Sequence, residues 1–397
     1  MTASRWLDNP VESGPAAGFG IYLHIPFCRH RCGYCDFATS AVGVPGADEH
    51  ALFDRYIAAV ADEIQLRVAA AADRAADRER LPAVTSIFIG GGTPTLVGAD
   101  RLASLLGRVS DQFDVTADAE ITVECNPEDA TADLFGQLRA AGVTRLSMGA
   151  QSFDPSVLTV LERQHHPGGI ETAVALARAA GFGRISLDLI YGTPGESDAS
   201  WRETLATVVR LGVDHISAYA LTVHANTPLG VAVGQRHVDD VDPDVQRDRF
   251  DLARQRLADA GFEHYEISNW ARTPNQRSRH NVLYWRHGDY LGFGVGAHSH
   301  RQAQRWWNTR STERYLDQVG DGRLPTAGQE QLTADEQALE RLMLGLRLRE
   351  GLHPYDAPPV ESFELEAAAT DGLVTLSCGR VQCTDDGWFV LDEVVRR

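Results

Sequence analysis

Three thiols stand close together near the start of this chain. Cys28, Cys32 and Cys35 form a C-x3-C-x2-C run in IYLHIPFCRHRCGYCDF, straight after an apolar β-type segment, residues 20–25, that Pro26 closes. Thiolates at this spacing can grip three irons of a four-iron four-sulfur cubane and leave the fourth iron without a protein ligand, since cubanes usually take four cysteines. An iron with a vacant position can chelate a small amino acid through its amine and carboxylate, as an open catalytic zinc holds water. The same residues allow another chemistry. With His24 or His30 they make a closed Cys3His set for zinc. Disulfides fit poorly, because the thiols are odd in number and no stretch before Cys28 reads as a secretory signal; the reducing cytosol is the expected setting. Cys125, Cys378 and Cys383 are scattered, and ordinary packing is their expected use.

Such a loop needs a scaffold. The chain has 397 residues, which suits two or three domains and a large packed core. Its formal charge of −18 argues against a nucleic-acid partner, which needs a concentrated basic surface. No apolar run approaches the length of a membrane span. Residues 1–19 read as a loose, flexible tail, and residues 48–80 as a long, partly solvated helix with pairs such as Glu63 with Arg67 and Arg74 with Asp77. After that the chain alternates. Strands are expected at 85–89, 120–124, 143–148, 184–190 and 215–221, with helices at 100–108, 131–141, 168–180 and 199–211. The strands read as short, nearly continuous apolar runs, as in parallel strands covered on both faces. With residues 20–25 they make six strands, an α/β pattern that predicts a barrel or part of one.

In such a barrel, chemistry collects where strands end, and here the ends are polar and glycine-rich. The second strand runs into Gly91, Gly92 and Thr93, the third into Glu124, the fourth into Gln151 with Arg163 in the following LERQHH, and the fifth carries Asp188 before YGTPGES. Singly, each residue suits a turn, a cap or an ion pair. Independent structural uses would not put a polar group at nearly every strand exit.

These words, in this order, resemble the radical S-adenosylmethionine enzymes, and LHIPFC with CDF is similar to the oxygen-independent coproporphyrinogen III oxidases and their heme chaperone relatives. The resemblance implies a partial (β/α)6 TIM-like barrel of that type. It implies that Cys28, Cys32 and Cys35 bind the 4Fe-4S cluster and that Tyr22 and Tyr34 flank S-adenosylmethionine. It also implies that Gly91, Gly92 and Thr93 border the methionine part, that Glu124 meets the ribose, and that Gln151, Arg163 and Asp188 make further cofactor contacts.

A second region follows residue 225. Residues 226–311 form an extension with a helix at 245–260 and the words HYEISNWAR, HNVLYW and GDYLGFGVGAHSH. From the sequence alone, His280 in HNVLYW suits a loop histidine satisfied by a carbonyl. HNxxYW resembles the heme-binding word of the chaperone branch, which nominates His280 as a heme ligand with Tyr284 and Trp285 as apolar walls. Residues 312–397 read as helical from residue 312, with a stop at Gly351 and a small β-wing over 372–395 that resembles the family's winged-helix-like C-terminal region.

The two branches differ locally. Phe37 stands where the oxidases carry a fourth cysteine, and the motif starts close to Met1; both favour the chaperone branch. Ser278 replaces a frequent cysteine and His224 a frequent acid, and their roles stay open. The chaperone reading implies one heme, a cluster, S-adenosylmethionine and transfer of heme to a respiratory heme protein. The alternatives are oxidative decarboxylation of coproporphyrinogen III to protoporphyrinogen IX, and a zinc-stabilised interaction protein.

Overall fold

Six parallel strands come first in the chain and set its frame. β1 (Phe19–Ile25), β2 (Val84–Gly91), β3 (Val115–Cys125), β4 (Arg145–Gln151), β5 (Ile185–Tyr191) and β6 (His215–Ala220) pair in that order. The computed structural model describes residues 18–73, 81–353, 362–377 and 379–396. Residues 1–17 of the tail expected over 1–19, the Arg74–Asp77 pair and Cys378 lie outside them, while Phe19, expected in that tail, is buried and opens β1. Between the strands run α1 (Ala47–Asp73), α2 (Ala99–Gln112), α3 (Ala132–Ala140), α4 (Pro155–Val160), α5 (Pro167–Ala179) and α6 (Asp198–Arg210). Thr131 and Ser197 start α3 and α6 by accepting a backbone N–H of the first turn. This is the expected α/β partial barrel. β1 and β6 sit apart in the strand order, so the barrel stays open.

The strands differ from the expected continuous apolar runs. Ile21, Leu23, Ile87, Ile89, Val123, Leu146, Met148, Leu187 and Ile216 join the core under the helices. The alternate positions, Tyr22, His24, Ser86, Glu124, Ser147, Asp188 and His215, hydrogen-bond to one another's neighbours on the opposite, inner face. A lumen that holds polar groups imposes a period of two on strands whose outer face alone is apolar.

Both edges of the open barrel are extended. After α7 (Pro228–Gly234) and α8 (Pro243–Asp259), β7 (Glu263–Glu266) and β8 (Asn269–Ala271) add antiparallel to β6. On the other side α9 (Arg279–Trp285) leads into β9 (Tyr290–Phe293), a seventh parallel strand against β1, and β10 (His298–Arg301), β11 (Gln304–Asn308) and β12 (Thr326–Gln331) follow antiparallel. β12 interrupts the stretch expected to be helical from residue 312, leaving α10 (Thr312–Gly320) and α11 (Ala334–Gly345) as separate helices. Its TAGQEQ is polar and mostly exposed, so no apolar alternation announces it; pairing with β11 makes it a strand. The C-terminal part holds α12 (Ser362–Thr370) and the expected hairpin, β13 (Val374–Ser377) with β14 (Arg380–Cys383). No helix among the described residues is long and apolar enough to cross a membrane.

The helix α1 does more than cover the sheet. Glu63, expected on a solvated face, is fully buried. Its carboxylate accepts from Gly294 N at 2.9 Å, Tyr315 Oη at 2.7 Å and Asn308 Nδ2 at 2.7 Å, and burial pushes its pKa up. Tyr56, two turns earlier, donates to His24 O at 2.8 Å and accepts from Val295 N at 3.0 Å. One helix thereby fixes the exit of β1 and the β9–β10 turn together.

Candidate functional site

The cysteine loop leaves β1 and is held from three sides. Phe27–Cys28 pairs in parallel with Ser40–Ala41, closing the loop on itself. Gly92 N donates to Ile25 O and Thr93 N to Phe27 O, each at 2.8 Å, which ties the turn after β2 to the loop. Arg29 pairs with Asp129 at 2.9 Å, beyond the exit of β3. Gly92 has no room for a side chain. A Cβ there would lie 2.6 Å from Phe27 O and 2.9 Å from Cys28 Sγ. Gly91 adopts φ +118, and a Cβ would meet the His24 ring.

The strand exits converge on that loop. Glu124 accepts from Gly91 N at 3.0 Å, and Asn126 Nδ2 donates to Thr93 Oγ1 at 2.9 Å. Arg163 donates to Asn126 Oδ1 at 2.7 Å, to Gly149 O at 3.0 Å and to Cys32 Sγ at 3.3 Å. Asp188 accepts from Ser147 Oγ at 3.1 Å. Burial first, and then the Asp188 charge, pushes Glu124 up to about 7. Burial likewise raises Asp188. Gln151 takes φ +61, a left-handed conformation unusual for a side-chain-bearing residue, next to Gly149, whose added Cβ would touch it. Tyr34 packs against a small apolar cluster with Leu161, Ile190 and Leu229 and stays within electrostatic reach of Arg163, Cys32, Cys35 and Asp188.

Burial pushes the Cys28 thiol up to about 12 and also raises Cys35, and the neighbouring thiols add to both shifts. The three sulfurs are therefore near neighbours. Even so, no three His, Cys, Asp or Glu side chains among the described residues gather round a single-ion site. His24 offers no fourth ligand, because Nδ1 bonds with Tyr22 Oη at 3.0 Å and Nε2 with Ala38 O at 2.9 Å. His30 faces Glu162 at 3.5 Å.

A cavity of about 410 Å3 opens beside the loop. Tyr22, Gly91 and Glu124 line it together with His24, Asp36, Tyr284, Tyr290, His298 and Arg310, and the exposed Phe37 also borders it. Among the expected cofactor contacts only those first three line it; Thr93, Gln151, Arg163 and Asp188 stand around the loop and exits. His280 is elsewhere. It opens the first turn of α9, not a loop, with Ser278 as the cap that accepts from Asn281 N. It is 1% exposed, bonded at Nδ1 to Ser86 Oγ at 2.9 Å and at Nε2 to Tyr284 Oη at 2.8 Å. Burial lowers its pKa to about 3. Heme ligation needs a nitrogen lone pair aimed at open space, and both of these are engaged one layer beneath the cavity. The expected aromatic walls also part company: Tyr284 lines the cavity, whereas Trp285 lies under Arg347, 4.7 Å from the ring. His224 pairs with Asp36 of the cysteine loop at 3.5 Å.

Asn126, His298 and Arg310 were missed as site residues in the sequence. For His298 the signal exists: YLGF followed by GVGAHS repeats the pattern of an apolar strand with a glycine-rich polar exit.

Residues 22–208 match the family model of the radical SAM superfamily, and residues 332–390 match the HemN C-terminal domain. The chain is 42% identical over 382 residues to the heme chaperone HemW of Mycobacterium tuberculosis strain H37Rv, covering 96% of this chain and 95% of that protein. It is 32% identical over 332 residues to the heme chaperone HemW of Bacillus subtilis strain 168, covering 83% and 84% of the two. Among solved structures it is similar to the coproporphyrinogen III oxidase HemN from Escherichia coli, a radical SAM enzyme, with a TM-score of 0.79 at 25% identity over 96% of this chain and 90% of that one.

Proposed function

The chain belongs to the HemW family of the radical SAM superfamily, and from that premise we propose that it is a heme chaperone that transfers heme to an acceptor such as a respiratory heme protein. The family implies a 4Fe-4S cluster and S-adenosylmethionine. Cys28, Cys32 and Cys35 would hold the cluster. When bound, it supplies an iron with a vacant position and a source of single electrons, and S-adenosylmethionine supplies the sulfonium.

What the chain's own residues do follows from their contacts. Gly92 and Thr93 keep the turn after β2 flush against the cysteine loop, their amides spent on Ile25 O and Phe27 O, so the turn fixes where the loop sits. Glu124 offers a carboxylate to ribose hydroxyls from the cavity wall, and Tyr22 supplies an aromatic face beside it. Arg163 places positive charge against Cys32 and braces Asn126. Asp188, Gln151 and Tyr34 are the outer contacts of this seat. In this reading residues 20–225 carry cluster and cofactor, 226–311 the heme side, and 312–397 a lid or docking region.

The observation that carries the chaperone reading is the cavity of about 410 Å3, in which the expected cofactor contacts Tyr22, Gly91 and Glu124 share the lining with the aromatic residues Phe37, Tyr284 and Tyr290. Phe37, 65% exposed at its rim, stands where an oxidase carries a further cysteine. The experiment is an anaerobic reconstitution followed by hemin titration and a coproporphyrinogen III turnover assay on the same protein. A saturable Soret band without porphyrinogen turnover is the expected result; turnover would assign the chain to the oxidase chemistry.

A further inference from the structure

Part of the cavity lining comes from elements outside the six-strand barrel. Tyr284 reaches it from α9, Tyr290 from β9, His298 from the start of β10, and Arg310 from the segment after β11. Tyr284 and Tyr290 meet edge to face at 4.6 Å, which fixes both rings. His298 is exposed and lies over Trp307 at 5.8 Å, nearly parallel. Its backbone position is over-determined: Gly296 N donates to Thr309 O at 2.8 Å, Asn308 N donates to Ala297 O at 3.0 Å, and α1 holds Gly294 and Val295.

Two groups in this part of the lining are unspent. The His298 ring makes no hydrogen bond among the described residues, in contrast to His24, His215 and His280, each bonded at both nitrogens. Arg310 donates to Asp36 O at 3.0 Å and forms no ion pair with a described carboxylate. An imidazole on a fixed backbone, with one ring nitrogen free to ligate, and a cation without an ion-pair partner, both lining one aromatic-walled cavity, match a flat metal macrocycle that carries carboxylates. We propose that His298 is the axial ligand of heme iron in this protein and that Arg310 pairs with one heme propionate, with Tyr284, Tyr290 and Phe37 against the macrocycle.

This rests on the chaperone reading and replaces His280 as the ligand. Partial burial and then the charges of Arg310 and Arg305 hold His298 below its ordinary pKa, so its ring is neutral and able to ligate near pH 7. His280 acts one layer down, where its bond to Tyr284 Oη orients a wall residue. The seat is half-open, since Phe37 at the rim is largely exposed. Cargo that must leave again is suited by partial enclosure.

The test is hemin titration of the full chain, wild type against His298→Ala, His298→Met and His280→Ala, read by Soret and charge-transfer bands and low-temperature EPR. His298→Ala is expected to weaken hemin binding by roughly tenfold or more and to lose the imidazole-ligated spectrum, with added imidazole restoring it. His298→Met keeps much of the volume and should shift the bands to those of a thioether ligand. His280→Ala should keep the imidazole-ligated spectrum. Unchanged spectra in both His298 variants overturn the assignment, as does loss of ligation in His280→Ala alone. A wild-type chain that takes up no hemin sinks the chaperone reading itself, which separates the two failures.

Discussion

The two ends of the barrel use the same strands and treat polar groups oppositely. At the amino-terminal end the groups close on one another. Glu120 holds Arg184 at 2.5 Å and accepts from His280 N; Arg145 and Ser186 bond to His215 Nδ1, and His215 Nε2 meets Tyr265 Oη, which accepts from Ser278 N. All of this converges on the start of α9, which plugs the open barrel. At the carboxyl-terminal end, Glu124, His298 and Arg310 keep capacity to spare and face a cavity. A closed network specifies geometry, while an open one is available to a ligand. Tyr284 joins them, because its hydroxyl belongs to the closed end and its ring to the cavity.

Changes at the open end should abolish ligands and leave the fold, and Gly92→Ala is the sharpest. Its Cβ would collide with Phe27 O and Cys28 Sγ, a backbone atom and the thiol proposed to hold the cluster. Anaerobic reconstitution should then give almost no bound iron and sulfide, with a circular dichroism spectrum like that of wild type. Full cluster loading in Gly92→Ala would mean that the loop is looser than its hydrogen bonds indicate.

The reverse is expected at the closed end. Glu120→Ala leaves the Arg184 guanidinium without its carboxylate in the barrel interior and should cost about 3–5 kcal/mol in urea unfolding. Cluster loading of the surviving folded protein should be unaffected. Equal losses of stability and loading would erase the distinction between the two ends.

That distinction was only half legible in the sequence. The cysteine loop and the exits of β2 to β5 could be read because apolar runs ending in glycine, proline and carboxylate recur at regular intervals. The fold followed from the same alternation. The polar lumen could not be read, since strands this short, with one or two polar residues among the apolar ones, pass for nearly continuous apolar runs. His280 drew attention as part of a word, but its meaning depends on Ser86, which is 194 residues away. His298 escaped because β9 joins β1 from the far end of the chain, so nothing local marks its turn as another strand exit. Glu63 looked like a surface partner of Arg67, yet its other partners, Asn308 and Tyr315, come from the last third of the chain.

A smaller effect is expected from Arg163→Lys. Lysine keeps the charge near Cys32 but cannot hold Cys32, Asn126 and Gly149 together, because a single ammonium lacks the planar fork. Cluster content should stay near wild type while S-adenosylmethionine affinity, by isothermal titration, falls roughly tenfold, the worth of about one charge-assisted hydrogen bond. Unchanged affinity would move Arg163 from the open end to a purely bracing role.

The subtlest contrast is between a sealed carboxyl and a cavity carboxyl. Glu266 is fully buried, accepts from Ser268 N at 3.2 Å, and is pushed up to about 8 mainly by burial; Glu124 borders the cavity and is pushed up to about 7 by burial and Asp188. Each folded pKa lies above the value of 4.5 for the free side chain, so the folded state retains a proton that the unfolded chain releases. Their contribution to stability is whole below pH 4.5 and drains away as pH rises through about 7 for Glu124 and about 8 for Glu266. Glu266→Gln should flatten the decline in stability between those limits whether or not S-adenosylmethionine is present. Glu124→Gln should flatten it in the ligand-free protein, and added S-adenosylmethionine should change the wild-type slope by the part that Glu124 owns. Chemical denaturation at a series of pH values measures both, and a slope indifferent to S-adenosylmethionine would place Glu124 among the sealed groups.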